Sequence, residues 1–138
     1  EDLYPTILHM AQITHYQVPQ TIDGMDLVPS LQGRTDKNLQ HRAIIWNVPN
    51  IWDSTGPGIS MNCAIRQGNW KLIYDYPTGH KELYNIMLDI GEKKNVAAQK
   101  PQKVRELSAL LGKKLRNMQA QRPSYKDTGK LCSWPDEQ

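Results

Sequence analysis

The feature that most constrains the fold is an alternating pattern on both sides of a two-residue connection in the middle of the chain. Residues 61–67 and 70–76 alternate in hydrophobicity, and Gly68-Asn69 separates them. A period of two is typical of a strand with one buried face, and a glycine-containing two-residue connection favours a hairpin. The pattern predicts a hairpin that carries Met61, Cys63, Ile65, Trp70, Leu72, Tyr74 and Tyr76 on one face and Asn62, Ala64 and Arg66 on the other.

Two further runs extend this hairpin into a sheet. Residues 42–48 are strongly β-prone, and residues 82–86 form a short run after a Pro-Thr-Gly turn. Because the connections between these runs are short, neighbouring strands should pair antiparallel. The sequence therefore predicts an antiparallel sheet of about four strands.

Helical periodicity marks the two ends of the chain. A helix is predicted over residues 101–121, with Gly112 weakening its middle by about 1 kcal/mol relative to alanine. Its apolar stripe consists of Val104, Leu107, Leu110, Leu111, Leu115 and Met118. A shorter N-terminal helix is predicted from Leu3, Ile7 and Met10, with Asp2 as its cap. Together these elements predict an α+β fold, in which the sheet is packed by the long C-terminal helix.

The chain divides into three segments by composition. Residues 1–41 form a linking segment of helix and loop, and within it residues 34–41 should be a polar loop. Residues 42–121 hold the sheet and the long helix, and residues 122–138 should run extended over the surface. Cys63 and Cys132 could pair or stay free, and a free, half-buried thiol is the preferred interpretation of Cys63.

Composition excludes several classes of function. The net charge of +3 in 138 residues is too mild for a dedicated nucleic-acid binder. No apolar run approaches the ~20 residues that a membrane span needs, so neither nucleic acid nor membrane is expected as a partner. Four histidines and two cysteines argue against a self-contained metal or thiol site. No phosphate loop, histidine pair at metal spacing or nucleophile elbow is present.

The candidate binding residues lie in or beside the long loop that follows the first β-prone run. Asn47, Asn50 and Trp52 combine amide groups with an aromatic ring, which is how sugars are often held. A structural alternative is equally weighted, in which Trp46 belongs to the core and Trp52 pins the loop. Arg66 could meet an anionic substrate or a buried carboxylate.

Four segments, in order, carry a family resemblance. They read DLYPTIL at residues 2–8, DGMDLVPSLQG at 23–33, AIRQGNWKLI at 64–73 and ELYNIMLDIGEKKN at 82–95. Together they resemble segments of type I, formylglycine-dependent sulfatases. The tail from Arg122-Pro123-Ser124-Tyr125 onward resembles the endings of Bacteroidetes-like bacterial members. The resemblance implies the C-terminal sheet-and-helix piece of an alkaline-phosphatase-like fold. Residues 1–41 would then lead in from a missing N-terminal catalytic domain of the same chain.

The chemistry of that family lies outside this sequence. Neither cysteine begins the C/S-x-P-S/A-R nucleophile motif, so no catalytic and no metal-binding residue is expected here. Formylglycine and calcium are expected in the missing catalytic domain, and the 138-residue chain alone should be inactive. The full-length protein would act on a sulfated substrate and be periplasmic or secreted.

One departure from the family pattern bears on the substrate. Related sulfatases often carry W-H-x-P-H where this chain has WNVPN at residues 46–50, so both histidines are asparagines here. Asn47 and Asn50 could hydrogen-bond a sugar but could not carry charge. With the aromatic ring and the cation named above, the candidate substrate-binding residues are Asn47, Asn50, Trp52 and Arg66.

Two other functions compete with the sulfatase hypothesis. One is a related phosphonate or phosphodiester hydrolase, and the other is a non-catalytic glycan-binding or interaction module with Trp52 as its platform. In addition, the faces of the sheet and first helix that would meet a larger domain should expose apolar surface. We therefore expect the chain by itself to self-associate.

Overall fold

The computed structural model describes residues 1–51 and 59–138, which form two compact units, 1–42 and 43–138. The first unit contains three short helices: α1 (Leu3–Met10), α2 (Val28–Leu31) and α3 (Lys37–His41). The second contains β1 (Ala43–Val48), β2 (Asn62–Gln67), β3 (Trp70–Asp75), β4 (Lys81–Asn85), a 3₁₀ turn (Ala97–Gln99) and α4 (Pro101–Asn117).

The first unit is held together by polar contacts around α1. The prediction that the Asp2 side chain caps α1 is wrong. Its carboxylate accepts hydrogen bonds from the Met25 amide at 2.9 Å and from Arg42 at 2.7 Å instead. The buried hydroxyl of Thr6 accepts a hydrogen bond from the Leu27 amide at 2.9 Å. These bonds tie α1 to the segment that leads into α2, and they occupy the carboxylate that sequence reasoning assigned to capping.

The predicted polar loop at 34–41 is wrong in its second half, where α3 forms. The Asp36 carboxylate accepts a hydrogen bond from the Asn38 amide at 2.8 Å, which is the usual bond of a helix N-cap. The segment has no apolar periodicity, so the local cap is the only signal that could have predicted this single turn of helix.

The predicted sheet is confirmed, with four antiparallel strands in the order β1-β2-β3-β4. The register pairs Ile45 of β1 with Ile65 of β2, and Ile65 with Leu72 of β3. Apolar residues of three strands therefore lie side by side on the core face. Gly68 has φ 56° in the connection between β2 and β3, a conformation that glycine adopts without steric cost. The hairpin register follows from this connection and from the buried apolar face.

The core lies between the sheet and α4. The sheet contributes alternate residues and α4 contributes its leucines, all at most 1% exposed: Cys63, Ile65, Leu72, Tyr74, Leu83, Leu107, Leu111 and Leu115. Both cysteines are free, and Cys63 is fully rather than half buried. Burial raises the pKa of the Cys63 thiol to about 12, so this group is a packed apolar side chain rather than a nucleophile.

The prediction that residues 122–138 run extended over the surface fits residues 126–131, which are exposed, but not residues 132–135, most of which are buried. Cys132 is fully buried, Trp134 is 8% exposed, and the Tyr74 hydroxyl donates to the Ser133 carbonyl at 3.1 Å. The guanidinium of Arg122 lies 4.8 Å from the centre of the Trp134 ring. The C-terminal segment therefore closes one side of the core, and α4 ends at Asn117 instead of continuing to residue 121.

Candidate functional site

The strongest candidate for a site is the sheet face opposite α4, which we call the outer face. Side chains alternate along each strand, so Trp46, Arg66, Lys71, Asp75 and Glu82 lie on this face while their neighbours enter the core. A groove of about 860 Å³ runs over it. Its volume is in the range typical of small-molecule sites.

An aromatic ring and a lysine lie near the middle of this groove. Trp46 is 44% exposed, and the Lys71 ammonium lies 5.7 Å from the centre of its ring, a distance that allows a cation–π contact. Lys71 also pairs with the Glu92 carboxylate at 2.6 Å, and this pair holds the lysine over the tryptophan. The exposed ring could stack against a sugar, with Lys71 beside it for an anionic substituent.

Hydrogen-bonding groups gather at the end of the groove that holds Ser60, Asp75 and Thr78. Ser60 donates to Asp75, and Thr78 donates to Asp75 through its amide at 3.1 Å and also through its hydroxyl. Burial acts to raise the pKa of Asp75, but these hydrogen bonds outweigh it and hold the pKa below its usual value. Asp75 is therefore an ionised acceptor that orders this end of the groove.

The structure separates the predicted binding residues. Asn47 lies on the core side of β1, where its amide oxygen accepts a bond from the Tyr76 hydroxyl at 2.9 Å and its amide nitrogen donates to the Gln121 carbonyl at 2.9 Å. Arg66 lies on the outer face, exposed, with its Nε 3.5 Å from the Gly68 carbonyl. Asn50 is exposed at the start of the loop, and Trp52 lies outside the described residues.

Sequence reasoning missed Lys71, and the alternative that placed Trp46 in the core is wrong, because Trp46 is 44% exposed on the outer face. Trp46 and Lys71 share the outer face because β1 and β3 both pair with β2 at its centre. One signal was present in the sequence. Residues 43–48 are apolar at every position except Asn47. A strand that is apolar on both faces needs a packing partner on each face, so Trp46 should contact a group on the face opposite the core.

Substituting Asn47 with alanine should lower the free energy of unfolding by about 1–2 kcal/mol, because the buried Tyr76 hydroxyl loses its acceptor. Asn50→Ala, at an exposed loop position, should change stability by less than about 0.5 kcal/mol. Urea denaturation followed by circular dichroism compares the two variants. Equal stabilities would show that the bonds of Asn47 are dispensable.

The described residues give no indication of a metal centre. Within 1–51 and 59–138, no three His, Cys, Asp or Glu side chains come together in a way that could hold a metal ion. No described residue is therefore assigned to calcium. None of the helices described is long and apolar enough to cross a membrane.

Comparison with known proteins identifies relatives over most of the chain, although no protein-family model matches it. The chain is 33% identical over 123 residues to arylsulfatase K of Xenopus laevis, covering 85% of this chain and 21% of the relative. It is 32% identical over 126 residues to a sulfatase of Formosa agariphila, covering 83% of this chain and 22% of the relative. The chain thus spans about a fifth of the length of these curated relatives.

Comparison with solved structures gives relatives of the same kind. A 2-O glycosaminoglycan sulfatase matches 86% of the chain with a TM-score of 0.66 and 26% identity, using 24% of its own length. A protein solved with its substrate D-glucosamine-2-N,6-O-disulfate matches 86% with a TM-score of 0.66 and 25% identity, also using 24% of its length. By sequence and fold, the chain belongs to the sulfatase family and corresponds to a segment of its members. The predicted resemblance is confirmed.

One neighbour has a different activity. A phosphonate monoester hydrolase of Silicibacter pomeroyi matches 87% of the chain with a TM-score of 0.53 and 25% identity, using 25% of its own length. A similar sheet-and-helix piece therefore occurs in a phosphonate monoester hydrolase, and the fold of this segment does not by itself select sulfate chemistry.

Proposed function

We propose that this chain is the C-terminal subdomain of a sulfuric-ester hydrolase, and that the whole protein cleaves sulfate esters of a carbohydrate. The observation that carries the proposal is the match to two sulfatases over more than four-fifths of this chain but only 21% and 22% of theirs. In this arrangement the chain supports the fold and borders the substrate. The formylglycine nucleophile and the calcium ion belong to the remainder of the polypeptide, which would be periplasmic or secreted.

The substrate-bordering part would be the end of the outer face at Val48 and Ser60. Asn50 is exposed at the start of the loop at this end, where Ser60 and Asp75 supply further polar groups. Trp52 follows Asn50 by two positions in the sequence and lies outside the described residues. Arg66 lies at the other end of the same face, as a cation for a second anionic group of an extended substrate. Asn47, whose amide bonds inside the subdomain, would position the start of the loop rather than touch the sugar.

The proposal is tested by expressing the complete parent protein and comparing hydrolysis of an aryl sulfate with hydrolysis of an aryl phosphonate. Preferential cleavage of the sulfate ester supports it, whereas preferential cleavage of the phosphonate would assign the chain to the second class, which the structural neighbour represents. In the parent, Asn50→Ala and Arg66→Ala should raise KM for a sulfated oligosaccharide and leave that for the small aryl sulfate unchanged.

The remainder of the polypeptide is also the partner we propose for α1. Leu3, Ile7 and Met10 are 70%, 58% and 67% exposed, so the predicted apolar stripe of this helix has no cover within the described residues. Because the relatives are several times longer than this chain, the missing part of the polypeptide is the natural occupant of this surface.

Without that partner, the 138-residue chain should self-associate as its concentration rises. Sedimentation velocity should show a shift to larger species, and Ile7→Ser with Met10→Ser should abolish it by removing the apolar stripe. Met118→Ser is the matched control, since Met118 is 53% exposed but lies at the end of α4. A monomer at every concentration would contradict the prediction.

A further inference from the structure

The positive charge of the chain is concentrated on α4. Residues 100–117 hold six of the 17 basic residues and one of the 14 acidic residues, so their net charge is +5 whereas that of the whole chain is +3. The other 120 residues are therefore slightly acidic, with a net charge of −2. Neither the packing of the core nor the proposed function uses this concentration of charge.

The cations lie on the side of α4 that points away from the core. The leucines of α4 pack against the sheet, and the period of 3.6 residues per turn places residues 105, 109 and 113 on the opposite, exposed side. Arg105 and Lys113 belong to this line, and the exposed Lys114 follows directly after it. We call Arg105, Lys113 and Lys114 the basic face of α4.

The three cations of the basic face are available to an external anion. None of them forms an ion pair with a residue that the structure describes, and their side chains reach into solvent. Arg105 and Lys113 are eight residues apart, which is roughly 12 Å along the helix axis. A single small anion cannot reach both positions, whereas an extended polyanion can.

The acidic side chains on and beside α4 are engaged by other cations. Glu106 accepts a hydrogen bond from Lys103 at 2.6 Å, and Asp136 accepts one from Arg116 at 3.1 Å. Glu137 lies 3.8 Å from the same arginine. These pairs leave the charges of the basic face uncompensated, and because Arg116 is already paired it is not counted in that face.

The composition of this side of α4 distinguishes among possible occupants. No large apolar side chain of α4 is exposed, so a lipid surface or the remainder of the polypeptide would bury little apolar area here, and lysine is depleted in protein interfaces. Residues 100–117 contain no aromatic side chain on which nucleic-acid bases could stack. Exposed cations without apolar or aromatic neighbours favour a flexible, hydrophilic polyanion.

We propose that the basic face of α4 binds a sulfated polysaccharide, with Arg105 and the Lys113–Lys114 pair meeting separate sulfate groups of one chain. This inference rests on the proposed function, which supplies a sulfated carbohydrate as the ligand. Arginine and lysine are the side chains that recognise oxyanions, and sulfate esters remain ionised at any physiological pH.

The position of the basic face assigns it an accessory role. Because α4 packs on the core side of the sheet, a polysaccharide on its exposed side leaves the outer face of the sheet accessible. Binding at α4 would therefore retain a polymeric substrate near the protein and raise its effective concentration, without aligning the ester that is cleaved.

Surface plasmon resonance of the 138-residue chain over immobilised dextran sulfate tests this proposal, with unsulfated dextran on the reference surface. The chain should bind only the sulfated polymer, and added salt should weaken binding. Changing Arg105→Gln, Lys113→Gln and Lys114→Gln together should raise Kd by about tenfold or more. Circular dichroism verifies that the variant is folded.

The matched control removes the same amount of charge elsewhere, through Lys37→Gln, Lys126→Gln and Lys130→Gln, three exposed positions outside α4. This variant should keep Kd within about twofold of the unchanged chain. Equal weakening in the two variants would overturn the proposal by showing that only net charge matters. A DNA duplex bound as tightly as dextran sulfate would also overturn it. Because binding is read without catalysis, a parent protein that fails to cleave sulfate esters would contradict the proposed function and not this result.

Discussion

Replacing Trp134 with alanine should destabilise the protein by about 3–5 kcal/mol, the range for loss of a large buried aromatic side chain. Trp134 is 8% exposed although it is residue 134 of 138. Its ring meets that of Tyr76 edge-on, with the centres 6.4 Å apart, and the Arg122 guanidinium lies on it. The substitution would remove these contacts and open a cavity beside the core.

The matched control is Leu131→Ala, three residues earlier in the same segment. Leu131 is 50% exposed, so its truncation should cost less than about 1 kcal/mol. Urea denaturation followed by near-ultraviolet and far-ultraviolet circular dichroism separates loss of packing from loss of helix and sheet. Similar stabilities for the two variants would show that residues 122–138 lie on the subdomain without closing its core.

The elements predicted well from sequence are those with a local period. The hairpin combines a period of two with a glycine connection, and α4 combines a helical stripe with Pro101 at its first position. Both signals are contained in the segments themselves, so their fold is readable without knowing their neighbours. Antiparallel order then follows from short connections.

The C-terminal segment fails this kind of prediction because its burial depends on distant partners. Cys132 and Trp134 have no periodic neighbours, and their cover comes from β3 and the residues after α4. Hydrophobicity alone could have placed Trp134 inside, but Pro and Gly nearby indicated an irregular surface segment. A single well-packed aromatic side chain outweighs that local signal.

The candidate site was only partly predictable for a related reason. The motif at residues 46–50 drew attention to two asparagines, yet strand alternation sends Asn47 into the core side and leaves Trp46 on the outer face. Strand alternation correctly placed Arg66 on the face of the sheet opposite to that of Ile65. Alternation could not predict the pairing of Lys71 with Glu92, because that pair depends on how the turn after β4 folds back over the sheet.

Gly112→Ala provides a second test of the C-terminal segment, and its sign is the informative result. Helix propensity alone predicts that alanine in the middle of α4 stabilises the protein by about 1 kcal/mol. A Cβ at this position would overlap the carboxylate of Asp136. Because Asp136 is held there by Arg116, we expect a net destabilisation of about 1–3 kcal/mol.

A double-mutant cycle isolates the cause of this reversal. In an Asp136→Ala background the obstructing carboxylate is gone, so Gly112→Ala should regain the stabilisation expected from helix propensity. The free energy of unfolding of all four chains, measured by urea denaturation, gives the coupling between the two positions. A Gly112→Ala substitution that stabilises the protein in both backgrounds would mean that the C-terminal segment does not approach α4 closely. Nothing in the packing would then explain a glycine at position 112. If Gly112→Ala destabilises the protein but stabilises the Asp136→Ala variant, Gly112 is the position at which the C-terminal segment packs closely against α4.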